Sequence, residues 1–193
     1  MLHILSLNRL LCLFLLAGSM SVWGQSKNFI LTKDGVGSLR KDRVFVDQSK
    51  SQEGLYNRVY KEVIEDELDG NAEIYTLCWN HIVVARFRLE EYMQGKPQTI
   101  AICSPDISTA EGLKVGMSVS KISKDPKFKA KWIVYMDAKG FAIAEYGDYT
   151  LRFHDDCLSA TGLEKVKKIV ESGEVELTAS DFALLSQIEY IEI

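Results

Sequence analysis

Alternating apolar and polar residues predict a group of β-strands in the middle of the chain. Residues 73–79 and 82–89 are rich in aromatic, β-branched and other apolar side chains, and two residues separate them. Two such segments joined by so short a loop are typical of a β-hairpin. A turn at Gly95-Lys96-Pro97 leads into a third apolar segment, residues 98–103. The pattern therefore predicts an antiparallel meander of three strands.

The second of these strands predicts that the sheet has one face in water. Val83, Ala85, Phe87 and Leu89 occupy alternate positions, and Arg86 and Arg88 lie between the last three of them. Successive side chains of a strand point to opposite faces of a sheet. We therefore expect the apolar residues to face the core and the arginines to face solvent.

A second meander is predicted further along the chain. Its three strands are residues 131–137, 141–146 and 149–154, and glycine-containing turns separate them. The last apolar segment, residues 188–193, predicts a closing strand at the C-terminus.

A short repeated motif stands ahead of each meander. Thr32-Lys33-Asp34-Gly35-Val36 and Thr109-Ala110-Glu111-Gly112-Leu113 share Thr, an acidic residue, Gly and an aliphatic residue in the same order. We expect turns in which glycine takes a positive φ, each followed by an aliphatic residue in the core. The repeat divides the predicted domain into halves 25–104 and 105–193.

Two helices complete the predicted fold. One is the short stretch 118–123, and the other is an amphipathic helix between Thr161 and Val175, for which Gly173 offers a stop. The apolar positions of this second helix recur at helical spacing and are Leu163, Val166, Ile169 and Val170. The predicted fold class is α+β, dominated by two antiparallel meander halves with short helices.

The N-terminus carries the features of a secretion signal. Arg9 precedes an almost wholly apolar run, residues 10–18, and Gly24 is the expected cleavage position. A membrane-spanning helix needs about 20 apolar residues, so this run is too short to anchor the chain. Residues 1–24 are therefore predicted to be a cleaved signal peptide. Residues 25–193 are predicted to form one β-rich domain in the periplasm or outside the cell, with no membrane span.

The net charge of the chain argues against nucleic acid as its partner. The chain has 23 basic and 27 acidic residues, a formal net charge of −4, and the predicted signal peptide removes one of the basic ones. Nucleic acid is a poor partner for an acidic chain, because binding depends on neutralising phosphates with Lys and Arg. No sequence motif calls for a cofactor, and none is expected.

Three cysteines, Cys78, Cys103 and Cys157, follow the predicted signal peptide. If the strands that carry Cys78 and Cys103 flank a shared strand, two strand spacings separate them by about 10 Å, beyond the limit of about 7 Å between Cα atoms of a disulfide. These two are expected to be small buried hydrophobic residues. Cys157 is the thiol whose reactivity we would test first.

The arrangement resembles that of a group of bacterial exported envelope proteins of unknown function. The resemblance rests on the early Gly35-Val36-Gly37, on Glu53-Gly54-Leu55-Tyr56, on the hairpin around Asn80, on the run from Ser104 to Gly116 and on the final strand 188–193. It implies an α+β fold and a place in the envelope, and it implies no catalytic residues. Many such proteins carry a lipid anchor, whereas this chain has no cysteine directly after the expected cleavage position.

Candidate chemistry is sparse. His81 lies in the predicted hairpin loop, where a solvated side chain is the ordinary role. The densest group of metal-ligand types is His154-Asp155-Asp156-Cys157. Neighbouring strand residues face opposite sides, so His154 and Asp156 can share a side, while a metal needs three or four converging ligands. No catalytic residue is assigned, and His154 and Asp156 are weak metal candidates.

Aromatic residues on the meanders are the candidates for binding. They are Trp79, Trp132, Tyr135, Tyr146 and Tyr149. Exposed rings on a sheet make good contact surfaces for a protein or a glycan, although core packing is the commoner use. The acidic runs 65–67, 90–91 and 155–156 fall at predicted strand ends and are expected to be solvated rims.

Three functions remain open from the sequence. The first is a non-enzymatic envelope protein that binds or stabilises another envelope component through one sheet face. The second is a hydrolase or metal-dependent enzyme that uses His154, Asp156 and Cys157. The third is a secreted inhibitor of a hydrolase.

Overall fold

The computed structural model of the protein describes residues 29–51, 54–66, 70–134, 139–169 and 173–193. The predicted signal peptide lies outside these ranges, as do Glu53, Glu67, residues 135–137 of a predicted strand and Val170 of the predicted helix. No helix within the described ranges is long and apolar enough to cross a membrane.

A large antiparallel sheet of nine strands dominates the described chain. Its strands, in spatial order, are β12 (Gly173–Leu177), β9 (Phe128–Val134), β10 (Phe141–Tyr146), β11 (Tyr149–Phe153), β13 (Ile188–Glu192), β7 (Ile100–Ile102), β6 (Ile82–Glu90), β5 (Gly70–Trp79) and β4 (Arg58–Asp66). Every neighbouring pair is antiparallel.

A second, four-stranded sheet accompanies it. Its order is β3 (Leu39–Arg40), β2 (Gly35–Val36), β1 (Phe29–Thr32) and β8 (Ile107–Thr109). β1 and β8 run parallel, and the other neighbours are antiparallel. The remaining elements are two α-helices, α1 (Val119–Ile122) and α2 (Ala160–Val166), and two short 3-10 helices, Glu91–Met93 and Ala179–Asp181. The prediction of a β-dominated fold with few short helices is confirmed.

The hairpin loops fall where the sequence predicts them. Asn80 takes a left-handed conformation with φ of 56° in the two-residue loop between β5 and β6. In β6, Ala85, Phe87 and Leu89 are buried, whereas Arg86 and Arg88 are exposed. Val83 is only half-buried and Val84 is buried, because a β-bulge shifts the register with β5 before Ala85. The predicted separation of an apolar and a wet face is therefore confirmed for this strand from Ala85 onward.

The strand order joins the two predicted meanders in one sheet. β13, the C-terminal strand, lies between β11 of the second meander and β7 of the first. No boundary between the halves 25–104 and 105–193 is evident in this order. The closing strand lies in the interior of the sheet, where it has a hydrogen-bonded neighbour on both sides.

The repeated motifs lie side by side in the small sheet. Leu31, which precedes the first motif, pairs with Thr109, the first residue of the second. Gly112 has a φ of 86°, and the aliphatic residues Val36 and Leu113 that end the motifs are both buried. Each motif thus makes a turn that delivers one side chain to the core, as the sequence predicts.

One hydrophobic core contains residues from both sheets. Leu31 and Ile107 of the small sheet belong to the same cluster of buried side chains as Leu77, Leu151 and Ile191 of the large sheet. The small sheet therefore covers the apolar face of the large sheet and leaves its other face to solvent. We call that other face the outer face, and residues such as Arg86 and Arg88 define it.

The helix predicted between Thr161 and Val175 is shorter in the structure. α2 ends at Val166, and Leu163 is exposed on its surface. Val175 belongs to β12, where it pairs with Trp132 of β9. The helical spacing of apolar residues continues past Val166. The chain nevertheless leaves the helix, because the residues of β12 form backbone hydrogen bonds with the edge of β9.

Candidate functional site: the outer face of the large sheet

The outer face presents a continuous row of side chains across six strands. The backbone register places Thr76, Arg86, Ala101, Glu192, Thr150 and Glu145 directly opposite one another in turn. Ala101 contributes only a methyl group, so the row is lowest between Arg86 and Glu192. The register therefore places the smallest side chain of the row between two long charged ones, near the middle of the sheet.

Arg152 lies on this face between two aromatic rings. Leu151 and Phe153 on either side of it are buried in the core, so alternation turns Arg152 outward. The centre of its guanidinium group lies 3.8 Å from the ring centroid of Phe141 and 5.9 Å from that of Tyr190. Stacking of this kind holds the guanidinium in one orientation.

The charge of Arg152 is only partly compensated. Its Nε lies 3.7 Å from a carboxylate oxygen of Glu192, which is beyond hydrogen-bonding distance. Nε is also buried and has no hydrogen-bond partner within the described part of the chain. The side chain is 23% exposed. A pre-ordered cation flanked by two aromatic rings is typical of residues that dominate protein interfaces.

Tyr190 and Cys103 lie beside this centre. Burial raises the pKa of the Tyr190 hydroxyl, and the nearby Arg152 opposes the increase. Burial also raises the pKa of Cys103, whose thiol lies 3.8 Å from the carbonyl oxygen of Ala101. Both groups are therefore protonated at neutral pH, and the charges that act on Tyr190 are those of Arg152, Glu192 and Glu189.

Two charged clefts lie among the described residues. One, of about 460 Å³, lies at the β9 and β12 edge between the Lys129 and Lys131 side chains and those of Glu174 and Glu176. The other, of about 410 Å³, is lined by the turn that carries Lys114 and by α1. His154 lines neither cleft. Lys131 and Glu174 form an ion pair of 2.9 Å, so the charges of the first cleft partly neutralise each other.

The structure does not bring His154, Asp156 and Cys157 to one surface. His154 and Asp156 are exposed, and His154 faces Glu189 at 3.7 Å. Cys157 is 2% exposed and belongs to the core. In the described ranges no three His, Cys, Asp or Glu side chains form a group that could hold a metal ion.

Burial suppresses the reactivity of Cys157. It raises the pKa of the thiol from near 9 to about 11, which lowers the thiolate fraction at neutral pH about a hundredfold. We therefore expect Cys157 to be the slowest of the three thiols to react with a soluble disulfide reagent at neutral pH. Mass spectrometry after timed labelling would assign each modified cysteine.

The unfolded protein in urea is the control for this labelling, since all three thiols should then react at similar rates. A Cys157→Ser variant confirms the assignment of the peptide. Labelling of Cys157 in the native protein at the rate of an unhindered thiol would contradict its placement in the core.

Cys78 and Cys103 are also free thiols. β6 lies between the strand of Cys78 and the strand that ends before Cys103, the arrangement in which two strand spacings separate the two cysteines. Cys78 is buried and Cys103 is half-buried.

The two candidate tryptophans have different surroundings. Trp79 is 43% exposed at the β5–β6 loop, and its cross-strand partner Ile82 is also exposed. Trp132 is 8% exposed, because Gly140 passes so close to its indole that a Cβ at this glycine would overlap the ring. Trp79 can therefore contact a partner, whereas Trp132 is part of the core.

Tyr146 and Tyr149 pair across the β10–β11 loop, and both are half-buried. The Tyr146 hydroxyl donates a 2.7 Å hydrogen bond to the Asp125 carboxylate, which raises the pKa of Tyr146. Lys127 lies over its ring and forms a 2.8 Å ion pair with Glu111. The hydrogen bond between Tyr146 and Asp125 thus stabilises the position of the loop before β9.

The candidate aromatics do not form one surface. β6 begins at the loop that follows Trp79, and β11 begins at Tyr149, after the β10–β11 loop. Three successive antiparallel pairings lead from β6 to β11 across the sheet, so these two strands run in opposite directions. The two loops therefore lie at opposite ends of the large sheet. Arg152 and its aromatic neighbours were not among the candidates from the sequence, although the outward position of Arg152 follows from the alternation of β11.

The fold is similar to that of a bacterial protein of known structure. The similarity to the uncharacterized protein yfeY from Escherichia coli covers 84% of this chain and 97% of that chain, with a TM-score of 0.51 and 14% sequence identity. At this identity the likeness concerns the fold alone. It supports the resemblance to uncharacterised bacterial proteins. No protein-family profile matches the chain, and no curated protein sequence matches it.

Proposed function

We propose that this is an exported, non-enzymatic envelope protein that binds another envelope protein through the outer face of its large sheet, with Arg152 as the central contact. The observation that carries the proposal is the guanidinium of Arg152, stacked 3.8 Å from Phe141 and left without a hydrogen bond at Nε. An interface residue that is already ordered loses little conformational entropy on binding.

The surroundings of Arg152 support a protein partner. Tyrosine, phenylalanine and arginine are enriched at the centres of protein interfaces, and polar rims surround such centres. On this face Tyr190 and Phe141 flank Arg152, while Arg86 and Glu145 stand further out along the sheet. Arg152 lines neither of the two charged clefts, and a small ligand needs an enclosing pocket, so a protein surface is the better-suited partner for this residue.

Export is supported by the pattern at the N-terminus, where Arg9 precedes a short apolar run. A non-enzymatic role is supported by the burial of Cys157, which removes the strongest nucleophile from the exposed His154 and Asp156. In this proposal the function depends on the solvent-exposed, charged outer face, with Arg152 and its aromatic neighbours at the centre.

Site-specific crosslinking tests the proposal. A photoreactive amino acid in place of Arg86, in the full chain produced by a bacterium that exports it, should give one crosslinked product with a different protein. The Arg152→Ala substitution should lower the yield of that product about tenfold or more, because truncation of a central interface arginine has an effect of this size.

The matched control is Arg40→Ala. Arg40 is also partly buried and ion-paired, but it lies in the small sheet, where loss of the side chain should leave the yield unchanged. Urea unfolding checks that both variants fold. The mass of the purified protein checks export, since it should begin at Gln25. A cytosolic protein that retains Met1, or a crosslink insensitive to Arg152→Ala, would overturn the proposal.

A further inference from the structure

β4 is an edge strand with an apolar surface. Among the described strands it has a hydrogen-bonded neighbour, β5, on one side only. It is nine residues long, and Tyr60 and Val63 are 54% and 53% exposed. A long edge strand with exposed apolar side chains presents a row of unpaired backbone groups to a further strand.

The side chains of β4 divide between the two faces of the sheet. Lys61 is directly opposite Tyr75, whose ring stacks on the buried Phe87, so Val59, Lys61 and Val63 face the core side. Arg58, Tyr60 and Glu62 are therefore on the outer face. Lys61 forms an ion pair with Glu73 of the same sheet.

Two charged side chains of this strand lack a partner. Arg58 and Glu62 are both exposed, and neither has an ion-pair or hydrogen-bond partner in the part of the chain that the structure describes. They have opposite charge and are spaced two positions either side of Tyr60. This spacing is symmetric about Tyr60, which suits pairing with a second copy of the same strand.

Only certain registers of such a pair are electrostatically acceptable. When two identical antiparallel strands pair about a two-fold axis, the residue on the axis faces its own copy. An axis at Lys61 places two ammonium groups opposite each other, and an axis at Glu62 places two carboxylates opposite each other. Like charges directly opposite are destabilising.

An axis at Tyr60 has the opposite result. It places Arg58 of each copy opposite Glu62 of the other copy, on both sides of a central pair of tyrosine rings. Opposite charges and aromatic pairs are the favourable cross-strand combinations. It thereby gives a partner to both of the unpaired charges of β4.

We propose that two copies of this chain pair through β4, antiparallel and centred on Tyr60, so that their large sheets form one continuous sheet. The contact involves about five residues of each strand and lies below the roughly 1,200 Å² of a standard interface, so the dimer is weak and reversible. The two-fold axis is perpendicular to the sheet. Both outer faces therefore point to the same side of the dimer.

Charge exchange tests the register. Sedimentation equilibrium of the exported full chain should show a monomer–dimer equilibrium. Arg58→Glu alone, or Glu62→Arg alone, creates like-charged pairs at both ends of the contact and should raise the dissociation constant about tenfold or more. The double variant Arg58→Glu with Glu62→Arg restores opposite charges and should return the constant to near its original value.

Disulfide trapping provides an independent test. Paired residues on the axis have Cα atoms about 5 Å apart, within the range of a disulfide, so Tyr60→Cys should form a covalent dimer under mild oxidation. Val63→Cys is the matched control, since its two copies would lie about 20 Å apart in this register and should not link. Circular dichroism checks that the variants are folded.

Three results would overturn the inference. They are a protein that stays monomeric at sub-millimolar concentration, a dimer that the single charge reversals do not weaken, and covalent linkage through Val63→Cys in preference to Tyr60→Cys. None of them bears on Arg152, so this inference and the proposed function fail independently.

Discussion

Removal of residues 188–193 is expected to abolish the cooperative unfolding transition of this protein. They include the whole of β13 (Ile188–Glu192), which separates β11 from β7 in the middle of the large sheet. Ile188 and Ile191 are fully buried, and each contributes about 1.5–3 kcal/mol through burial of apolar surface. Without β13 the large sheet divides into two groups of strands with new open edges.

The loss extends beyond the side chains. Gly116 donates a backbone hydrogen bond to Ile188, Ile188 donates one to Met117, and Ile193 exchanges two with Ile100. A domain of this size has a free energy of unfolding of about 5–15 kcal/mol. The combined loss of core contacts and of hydrogen bonds between strands exceeds that free energy. Near-ultraviolet circular dichroism during urea titration would measure the transition.

A surface change in the same C-terminal segment provides the control. Leu184 is 88% exposed, and Leu184→Ser should change the free energy of unfolding by less than about 0.5 kcal/mol. A truncated chain that keeps a sharp urea transition would mean that β13 is not an interior strand.

The sequence predicted the strands whose faces differ in polarity. Residues 82–89 alternate between apolar and polar side chains from Ala85 onward, residues 141–146 are mostly apolar, and both segments form strands, β6 and β10, within one residue of the expected bounds. Their short loops fix the hairpins locally, because two residues cannot connect the strands in another way. These elements depend on neighbouring residues alone.

Strands that depend on distant partners were missed. β12 contains glutamates at alternate positions and becomes a strand because β9 offers an open edge. β4 precedes the first predicted strand and carries charges on both faces. The strands of the small sheet are two to four residues long, and the sequence predicted only the two turn motifs that begin at Thr32 and Thr109, not the strands themselves. Such segments become strands because they pair with strands that are distant in the sequence. Their own residues carry little preference for the β conformation.

The candidate site shows the same limit. Alternation places Arg152 on the outer face, but Phe141 and Tyr190 reach it only through the pairing of β11 with β10 and β13. Sequence likewise could not separate the exposed Trp79 from the buried Trp132, since the difference arises from the approach of Gly140. The burial of Cys157 also results from packing, which the local sequence does not reveal.

Gly162→Ala is expected to lower the free energy of unfolding by about 3 kcal/mol or more. Gly162 lies in α2, and a Cβ at this position would overlap the backbone carbonyl oxygen of Asp181. In an open helix the same change would stabilise by about 1 kcal/mol, because alanine is the better helix former. The overlap outweighs this gain, since backbone atoms cannot move aside as the end of a flexible side chain can.

The surroundings of Asp181 make that carbonyl hard to displace. It accepts a 2.9 Å hydrogen bond from the backbone N–H of Ser159. The buried Asp181 carboxylate accepts hydrogen bonds from the backbone N–H of Thr178 at 2.7 Å and from Lys165 at 3.1 Å. Burial acts to raise the pKa of Asp181, but these two donors outweigh it and hold the pKa below its usual value.

Urea unfolding of Gly162→Ala at neutral pH would measure the effect as a lower midpoint with an unchanged slope. The matched control is Thr161→Ala, one residue earlier on the exposed side of the same helix, where the midpoint should stay the same or rise slightly. A midpoint for Gly162→Ala equal to or above that of the control would show that α2 does not touch the Asp181 backbone. The difference in helix propensity between glycine and alanine would then determine the effect of the substitution on stability.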